Sequence, residues 1–413
     1  MTREALTVRC CIAGGGPAGM MLGLLLARAG MTVLVLEKHA DFLRDFRGDT
    51  IHPSTLQIMH ELGLADALLR LPHEKVTEIG AQIGDTPVRV ADFTHLPTHC
   101  RFLAIMPQWD FLDFLAGQAR RYAGFDLRMR AEVTGLIEDG GRVAGVRAST
   151  PDGPLEVRAD LVVGADGRHS VVRAQAGLGV EDLGAPIDVL WFRLSRRSTD
   201  PANTAGRFDN GIIFVMINRG EHWQCGYVIP KGTIEGLRAN GLEAFRADVA
   251  RLMPFAADRM AELADWDDVK LLTVKVDRLT RWYRPGLLCI GDAAHAMSPI
   301  GGVGINLAVQ DAVAAANLLA GPLAAGSPPP ADLERVQRRR MLATRVIQRM
   351  QIIVQNRILA RVIGRRGAPQ PMRPAWVVTW FDRSPLLRRL PARLLGLGIR
   401  PEHVRSPAVA PTR

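Results

Sequence analysis

Residues 6–39 read LTVRCCIAGGGPAGMMLGLLLARAGMTVLVLEKH, and this stretch decides the fold. The run 8–13 is short and apolar, as a buried strand would be; 20–29 is rich in Leu and Ala and reads as a helix; 31–36 is a second apolar run. Strand, helix and strand make a βαβ unit. Between the first two lies Gly14-Gly15-Gly16-Pro17-Ala18-Gly19, which fits G-x-G-x-x-G. Gly14 permits the tight turn, Gly16 lets backbone approach a pyrophosphate, and Gly19 lets helix and strand pack closely. The helix start offers unpaired N–H groups and a positive dipole end to phosphates. Glu37 closes the second strand near the ~20-residue offset at which a carboxylate accepts ribose hydroxyls. The pattern points to an adenine dinucleotide.

The totals bound the rest. A chain of 413 residues with 47% hydrophobic content carries two or three domains with packed cores. No apolar run in the sequence approaches the ~20 residues of a membrane span, and an amino-terminal βαβ unit is not a cleaved leader. Cys10, Cys11, Cys100, Cys225 and Cys289 are odd in number and lack metal-ligand spacing. Cys10, Cys11 and Cys289 lie in apolar strand-like runs and read as reduced core residues of a cytoplasmic protein, with no metal site expected. The net charge of +10 is uneven: residues 335–413 hold 18 arginines against Asp382 and Glu402, so residues 1–334 are net negative. No nucleic-acid motif accompanies the basic tail, so its charge reads as a solvated helix face or an anion-attracting patch.

Along the chain, 45–53 is a polar, glycine-broken loop and 54–70 has helical apolar spacing. Residues 76–106 alternate apolar and polar, as an antiparallel sheet does. A helix is expected over 109–123, then strands at 132–138 and 142–149 about an Asp139-Gly140-Gly141 turn. The run 160–166 ends in Asp166-Gly167-Arg168-His169-Ser170-Val171-Val172-Arg173; 187–230 is strand-rich; 269–277 is a charged strand. The apolar 287–291 leads into Asp292-Ala293-Ala294-His295, and a glycine-rich turn at 299–304 precedes a helix over 305–320. A linker at 326–330 and a long basic amphipathic helix follow. Three nucleotide-domain pieces (1–75, 101–175 and 278–325) thus alternate with two strand-rich insertions (76–100 and 176–277), ahead of a basic helical region, 326–413.

Three motifs in this order, the glycine turn with Glu37, the Asp166–Arg173 segment and Gly291-Asp292-Ala293-Ala294-His295 with Pro299, resemble the single-component FAD-dependent aromatic hydroxylases of the p-hydroxybenzoate hydroxylase fold. The resemblance spans roughly residues 6–325. It implies an α/β architecture in which a Rossmann-like FAD-binding domain is interleaved with an antiparallel-sheet substrate domain, with a carboxy-terminal helical tail. The implied cofactor contacts are Gly14, Gly15, Gly16, Pro17, Ala18, Gly19, Glu37, Lys38, Arg47, Gln108, Val133, Asp166, Asp292, Pro299, Gly302, Gly304, Ile305 and Asn306. Among them Glu37 would hold the adenosine ribose, Arg47 the pyrophosphate and Asp292 a ribityl hydroxyl, an acceptor role that would satisfy a carboxylate ending a buried strand. Backbone N–H groups at 301–306 would face the flavin edge that gains negative charge on reduction. The implied reaction uses NAD(P)H and O2 to hydroxylate an aromatic, polycyclic or secondary-metabolite-like substrate through a flavin C4a-hydroperoxide. NADH and NADPH are not distinguished, nor is an oligomeric state.

The residues do not name an activating base. His52, Asp49 and Thr50 are candidates for direct function against simple loop hydrogen bonding, and His295 reads as structural. Phe192, Phe208, Phe214, Met216 and Trp223 suit either an aromatic ligand or a sheet core. Two other chemistries share this fold, a flavin-dependent halogenase and an FAD-dependent reductase or desaturase. The halogenase pattern G-W-x-W-x-I-P is only half matched by residues 222–230. A non-enzymatic reading places the tail, with Trp376, Trp380, Phe381 and Leu386-Leu387 among arginines, on anionic lipid, but Pro374, Pro385, Pro391 and Pro401 break it into short pieces, which favours a tail folded back over the FAD domain.

Overall fold

The strand Glu4–Ala13 changes character along its length. Up to Arg9 it alternates, and from Cys10 to Ala13 it is buried on both sides. That is the signature of a strand entering a parallel sheet covered by helices on both faces. It pairs in parallel with Gly153–Gly164 and Val33–Glu37; these pair in turn with Leu287–Cys289 and Phe125–Met129. The computed structural model describes residues 4–43, 50–201, 204–209, 211–359, 362 and 372–412. Its eight-stranded sheet is completed by Tyr283–Arg284 and by the hairpin Glu132–Asp139 and Arg142–Thr150, which turns through positive φ at Gly140 and Gly141. The helix Pro17–Arg28 packs on this sheet between Gln108–Ala119 and Gly304–Ala325. All five cysteines are free and buried, and burial pushes the Cys11 thiol up to about 12.

A second sheet of seven strands runs Lys270–Leu272, Ile187–Ser195, His222–Pro230, Ile212–Asn218, Ala205–Asp209, Glu78–Ile83 and Thr86–Asp92. It is antiparallel except at one seam, where Ala205–Asp209 pairs in parallel with Glu78–Ile83. That seam joins two segments more than a hundred residues apart. Period-two alternation divides its side chains. Phe192, Phe214, Met216 and Trp223 point to one face, where Phe245, Val249 and Leu252 of the helix Leu242–Leu252 cover them. These four are sheet core. Trp191, Val215 and Gly226 take the opposite face.

Three elements differ from the sequence expectation. The span 54–70 forms two helices, Pro53–Glu61 and Ala65–Leu68, because Gly63 turns at φ +71° between them. The span 269–277 is not one strand. Lys270–Leu272 belongs to the seven-stranded sheet and Asp277–Leu279 to a separate three-stranded one. Between them the Val274 N–H donates to buried Asp188 at 3.0 Å and its carbonyl accepts from Lys231 at 2.6 Å, so side chains replace the ladder. The helix at 305–320 continues to Ala325, and with its leading turn it is long and apolar enough to cross a membrane. It is instead a core helix, 83% buried over that window.

Inside this helix sits Asp311, fully buried. It accepts from His295 Nε2 at 2.6 Å and from Arg340 Nε at 2.9 Å; Arg340, also fully buried, reaches Glu402 at 3.3 Å. Burial alone would raise the Asp311 carboxyl, but His295 and Arg340 outweigh it and hold it below the usual range. The network ties the helix Pro330–Val354 and the final segment to the parallel sheet. That segment runs back over the same side, with Val409 N–H on the Arg28 carbonyl and Thr412 N–H on that of Arg121. The helices Trp376–Arg383 and Pro385–Gly396 go elsewhere, onto the edge strand Thr86–Asp92.

Replacing Arg340 by Met should cost about 3–5 kcal/mol, since it leaves the buried Asp311 carboxylate without one of its two charged partners. Replacing Arg335, which pairs with Asp332 at the surface, should cost less than about 1 kcal/mol. Denaturant unfolding of both variants checks the contrast, and equal effects would show that Asp311 does not depend on Arg340.

Candidate functional site

One cavity of about 1680 Å³ runs between the two sheets. Pockets for one small ligand run to roughly 300–1,000 Å³, so this space has room for more than one. Its first end is backbone. Gly14 has φ +104°, and a Cβ there would lie 2.3 Å from the Ala165 carbonyl oxygen; a Cβ on Gly19 would lie 1.9 Å from the Gly14 oxygen. Both positions are closed to any side chain. Gly16 is different, because a Cβ there meets nothing within 4 Å and would project into open space. The same holds at Gly304.

Three helices begin at this cavity without a side-chain cap: Pro17–Arg28, Gln108–Ala119 and Gly304–Ala325. An uncapped start leaves N–H donors and the positive dipole end available to a bound anion or a developing negative charge. Beside the first of them, Glu37 accepts the Gly15 N–H at 2.8 Å and the His39 N–H at 3.1 Å. The carboxylate is thus aimed at the turn by the backbone it serves.

The Asp166–Arg173 segment is held from within. Asp166 accepts from Ser170 Oγ at 2.5 Å and from Val172 N–H at 3.2 Å, and Ser170 caps the helix Val171–Gln175 through Arg173 N–H. Burial raises the Asp166 carboxyl against those donors. Buried Arg173 pairs with Asp277 and donates to the Arg168 carbonyl, which fixes the loop carrying Arg168. The Arg168 guanidinium then lies 3.7 Å from Asp292. Asp292, expected at the end of a buried strand, follows the strand Leu287–Cys289 and is half-buried, with a cationic neighbour beside it. Around it, burial and the charges of Arg168, Lys275, Arg173 and Lys38 hold the His169 imidazole below its ordinary range.

The structure brings most of the sequence-derived set to this wall: Gly14 to Ala18, Glu37, Lys38, Gln108, Val133, Asp166, Asp292, Pro299, Gly302, Gly304 and Ile305. Gly19 is sealed in the helix–strand contact. Asn306 also turns away, because its Oδ1 accepts from His52 N–H and Thr55 Oγ1 while its Nδ2 reaches the Thr50 and Gly302 carbonyls. It pins the strand Thr50–Ile51 beneath the 301–304 turn. His52 is fully buried, with Nδ1 2.7 Å from the Leu395 carbonyl, and is off the cavity wall, where direct function would need it; Thr50 is on it. Arg47 and Asp49 lie outside the described residues. His295 serves the Asp311 network.

The second end of the cavity is apolar and was missed in part. Trp191, Val189, Ile213, Val215 and Val228 form its floor on the free face of the seven-stranded sheet, with Phe208 beside them. The signal was present, since within each strand these residues alternate with core-facing ones, as Trp191 does with Phe192, Val215 with Phe214 and Val228 with Tyr227. Met350 and Val354 close it from the helix Pro330–Val354, and Met372, Val378, Pro391, Leu394 and Leu395 close it from the tail. Nothing local in those tail residues marks them as cavity wall.

The family described as FAD binding domain matches residues 7–350. A 6-methylpretetramide 4-monooxygenase of Streptomyces rimosus is 33% identical over 387 residues, covering 93% of this chain and 91% of its own length. Among solved structures, the OxyS anhydrotetracycline hydroxylase of Streptomyces rimosus superposes with a TM-score of 0.73 at 24% identity, over 97% of this chain and 77% of its own. A variant of P. aeruginosa PqsL gives 0.74 at 21% identity, over 87% and 99%. At those identities the two structures speak to the fold.

Burial holds the His52 imidazole down at about 4, against weaker support for its charged form from the carbonyls of Leu395, Gly302 and Gly301. An unfolded chain takes up this proton below pH 6.5, whereas the folded one does not until pH nears 4. The stability His52 allows is thus complete above the unfolded value and declines as pH falls through that window, by about 3 kcal/mol. Denaturant unfolding at about pH 7 and about pH 4.5 should show His52→Gln losing that much less than the parent. Equal losses would place the proton elsewhere.

Proposed function

Since this chain belongs to the FAD-binding family of flavoprotein aromatic monooxygenases, we propose that it uses NAD(P)H and O2 to hydroxylate a polycyclic aromatic substrate of the 6-methylpretetramide kind. The observation that carries the reading is one continuous cavity, lined by backbone donors at one end and by apolar sheet residues at the other. FAD suits the first end on the structure's own terms: the spaces at Gly16 and Gly304 admit a close ligand, and three uncapped helix starts face it. When bound, FAD accepts hydride and carries out oxygen transfer, the chemistry that side chains lack.

The chain's residues then have these roles. Glu37 takes the adenosine ribose hydroxyls, and the turn from Gly14 to Ala18 takes the pyrophosphate. Asp292, steadied by Arg168, takes the ribityl chain together with Gln108. The N–H groups beginning at Gly304 stabilise negative charge at the adjacent ring edge. Trp191, Val189, Ile213 and Val215 hold the substrate's flat face, and the tail's Leu394 and Leu395 keep water out. In this division the parallel sheet and its helices form the FAD-binding domain and the seven-stranded sheet the substrate domain.

The purified protein should be yellow, should oxidise NADH or NADPH faster with a polycyclic phenol present, and should incorporate one ¹⁸O atom from labelled O2 into product. A protein that refuses FAD on reconstitution sinks the reading. Gly16 has extended backbone, φ −73° and ψ −177°, which valine tolerates. Gly16→Val should therefore fold with unchanged circular dichroism yet bind FAD on the order of 100-fold more weakly. Unchanged FAD affinity would move the dinucleotide away from this turn.

A further inference from the structure

Among the described residues ten large hydrophobics are exposed, and four lie within 376–390: Trp376 at 78%, Trp380 at 57%, Leu386 at 68% and Leu390 at 62%. Scattered single residues of this kind are ordinary, but a cluster marks a contact surface. Helical spacing organises these four. On Trp376–Arg383 the solvent stripe is Trp376, Trp380 and Arg383; on Pro385–Gly396 it includes Leu386, Arg389, Leu390 and Arg393. Neither stripe carries an acid. The one carboxylate of these helices, Asp382, is taken up by the edge strand, accepting the Arg89 N–H at 2.9 Å and pairing with its guanidinium.

We propose that the outer faces of these two helices dock the protein on an anionic lipid surface. Tryptophan and leucine enter the interfacial layer while arginines meet the headgroups, the arrangement of a helix lying in the membrane plane. A second copy of the chain is a poor occupant, because a two-fold contact sets the same patch against itself and brings arginine to arginine. The positive field is felt within the fold: burial, then the charge of Arg389, lowers the His95 imidazole, with Arg393 adding to the effect. The inner faces of the same helices supply Val378, Pro391, Leu394 and Leu395 to the cavity. One thin layer of chain thus separates the lipid contact from the apolar end of the cavity. The docking itself does not depend on the oxygenase reading.

The test uses the full chain loaded with FAD and sedimented with vesicles of phosphatidylcholine alone or mixed with phosphatidylglycerol. Binding should favour the anionic vesicles and fall with added salt. Replacing Arg383, Arg389 and Arg393 by Gln should weaken it roughly 100-fold, at about tenfold for each 1.4 kcal/mol. Trp376→Ser with Trp380→Ser should also lose binding while keeping flavin absorbance and sedimentation coefficient, which shows that the fold survives. No binding to anionic vesicles overturns the proposal, as does binding that both variants retain. Self-association abolished by the tryptophan variant, without vesicle binding, also overturns it and assigns the patch to a second copy. Flavin content is read separately from vesicle binding, so failure of docking is distinguishable from failure of the oxygenase reading.

Discussion

Three backbones meet at Gly14 more closely than any side chain allows. Its N–H donates to the Leu36 carbonyl at 2.8 Å, and the neighbouring Ala13 carbonyl accepts the Ala165 N–H at 2.8 Å. The turn is therefore stitched to the ends of both flanking strands at once. Its own carbonyl occupies the place where residue 19 would carry a Cβ. With that contact closed, the helix Pro17–Arg28 starts at one position only, and its uncapped first turn faces the cavity. Glu37 ends one strand of this sheet, and Asp166 and Asp292 follow the ends of two others, so their common location is a consequence of its register.

What the turn does for the sheet, buried polar groups do for the helices. The helix Gly304–Ala325 is rich in alanine, and alanine surfaces offer little to choose between one register and the next. Asp311 removes the choice, because only one placement lets it meet Arg340 and His295 together. Buried charge of this kind adds less to stability than to uniqueness. Asn306 acts likewise one turn from the helix start, spending its amide on His52, Thr55, Thr50 and Gly302. The helix start is consequently fixed from both sides, which a wall of backbone donors requires.

Legibility in the sequence follows from distance along the chain. The glycine turn, Glu37 and the strand-end aspartates were readable because each motif closes on itself within a few dozen residues. Parity in the second sheet was also readable, yet only the structure says which parity faces the cavity, as Trp191 and Phe192 illustrate. Asp292 lies on the cavity wall, but its neighbour Arg168 was not foreseen, because it lies 124 residues earlier and no local pattern links the two. The tail was least legible. Leu395 touches the Gly301 turn and holds His52, but its segment reads as one more basic helix.

The two ends of the cavity are built from different materials, and the difference has a physical reason. Backbone amides project little and cannot change rotamer, so a wall made of them presents the same donors whatever side chains surround it. Such a wall suits a ligand that never varies. The apolar end is made of side chains from four separate segments, the sheet, the helix Pro330–Val354 and the two tail helices. Its shape can be altered at Trp191 or Leu394 without changing the residues of the glycine turn or the Asp311 network, because those side chains belong to the seven-stranded sheet and the tail. A fold that keeps its fixed chemistry on backbone and its selectivity on dispersion contacts can change substrate while leaving its cofactor site intact.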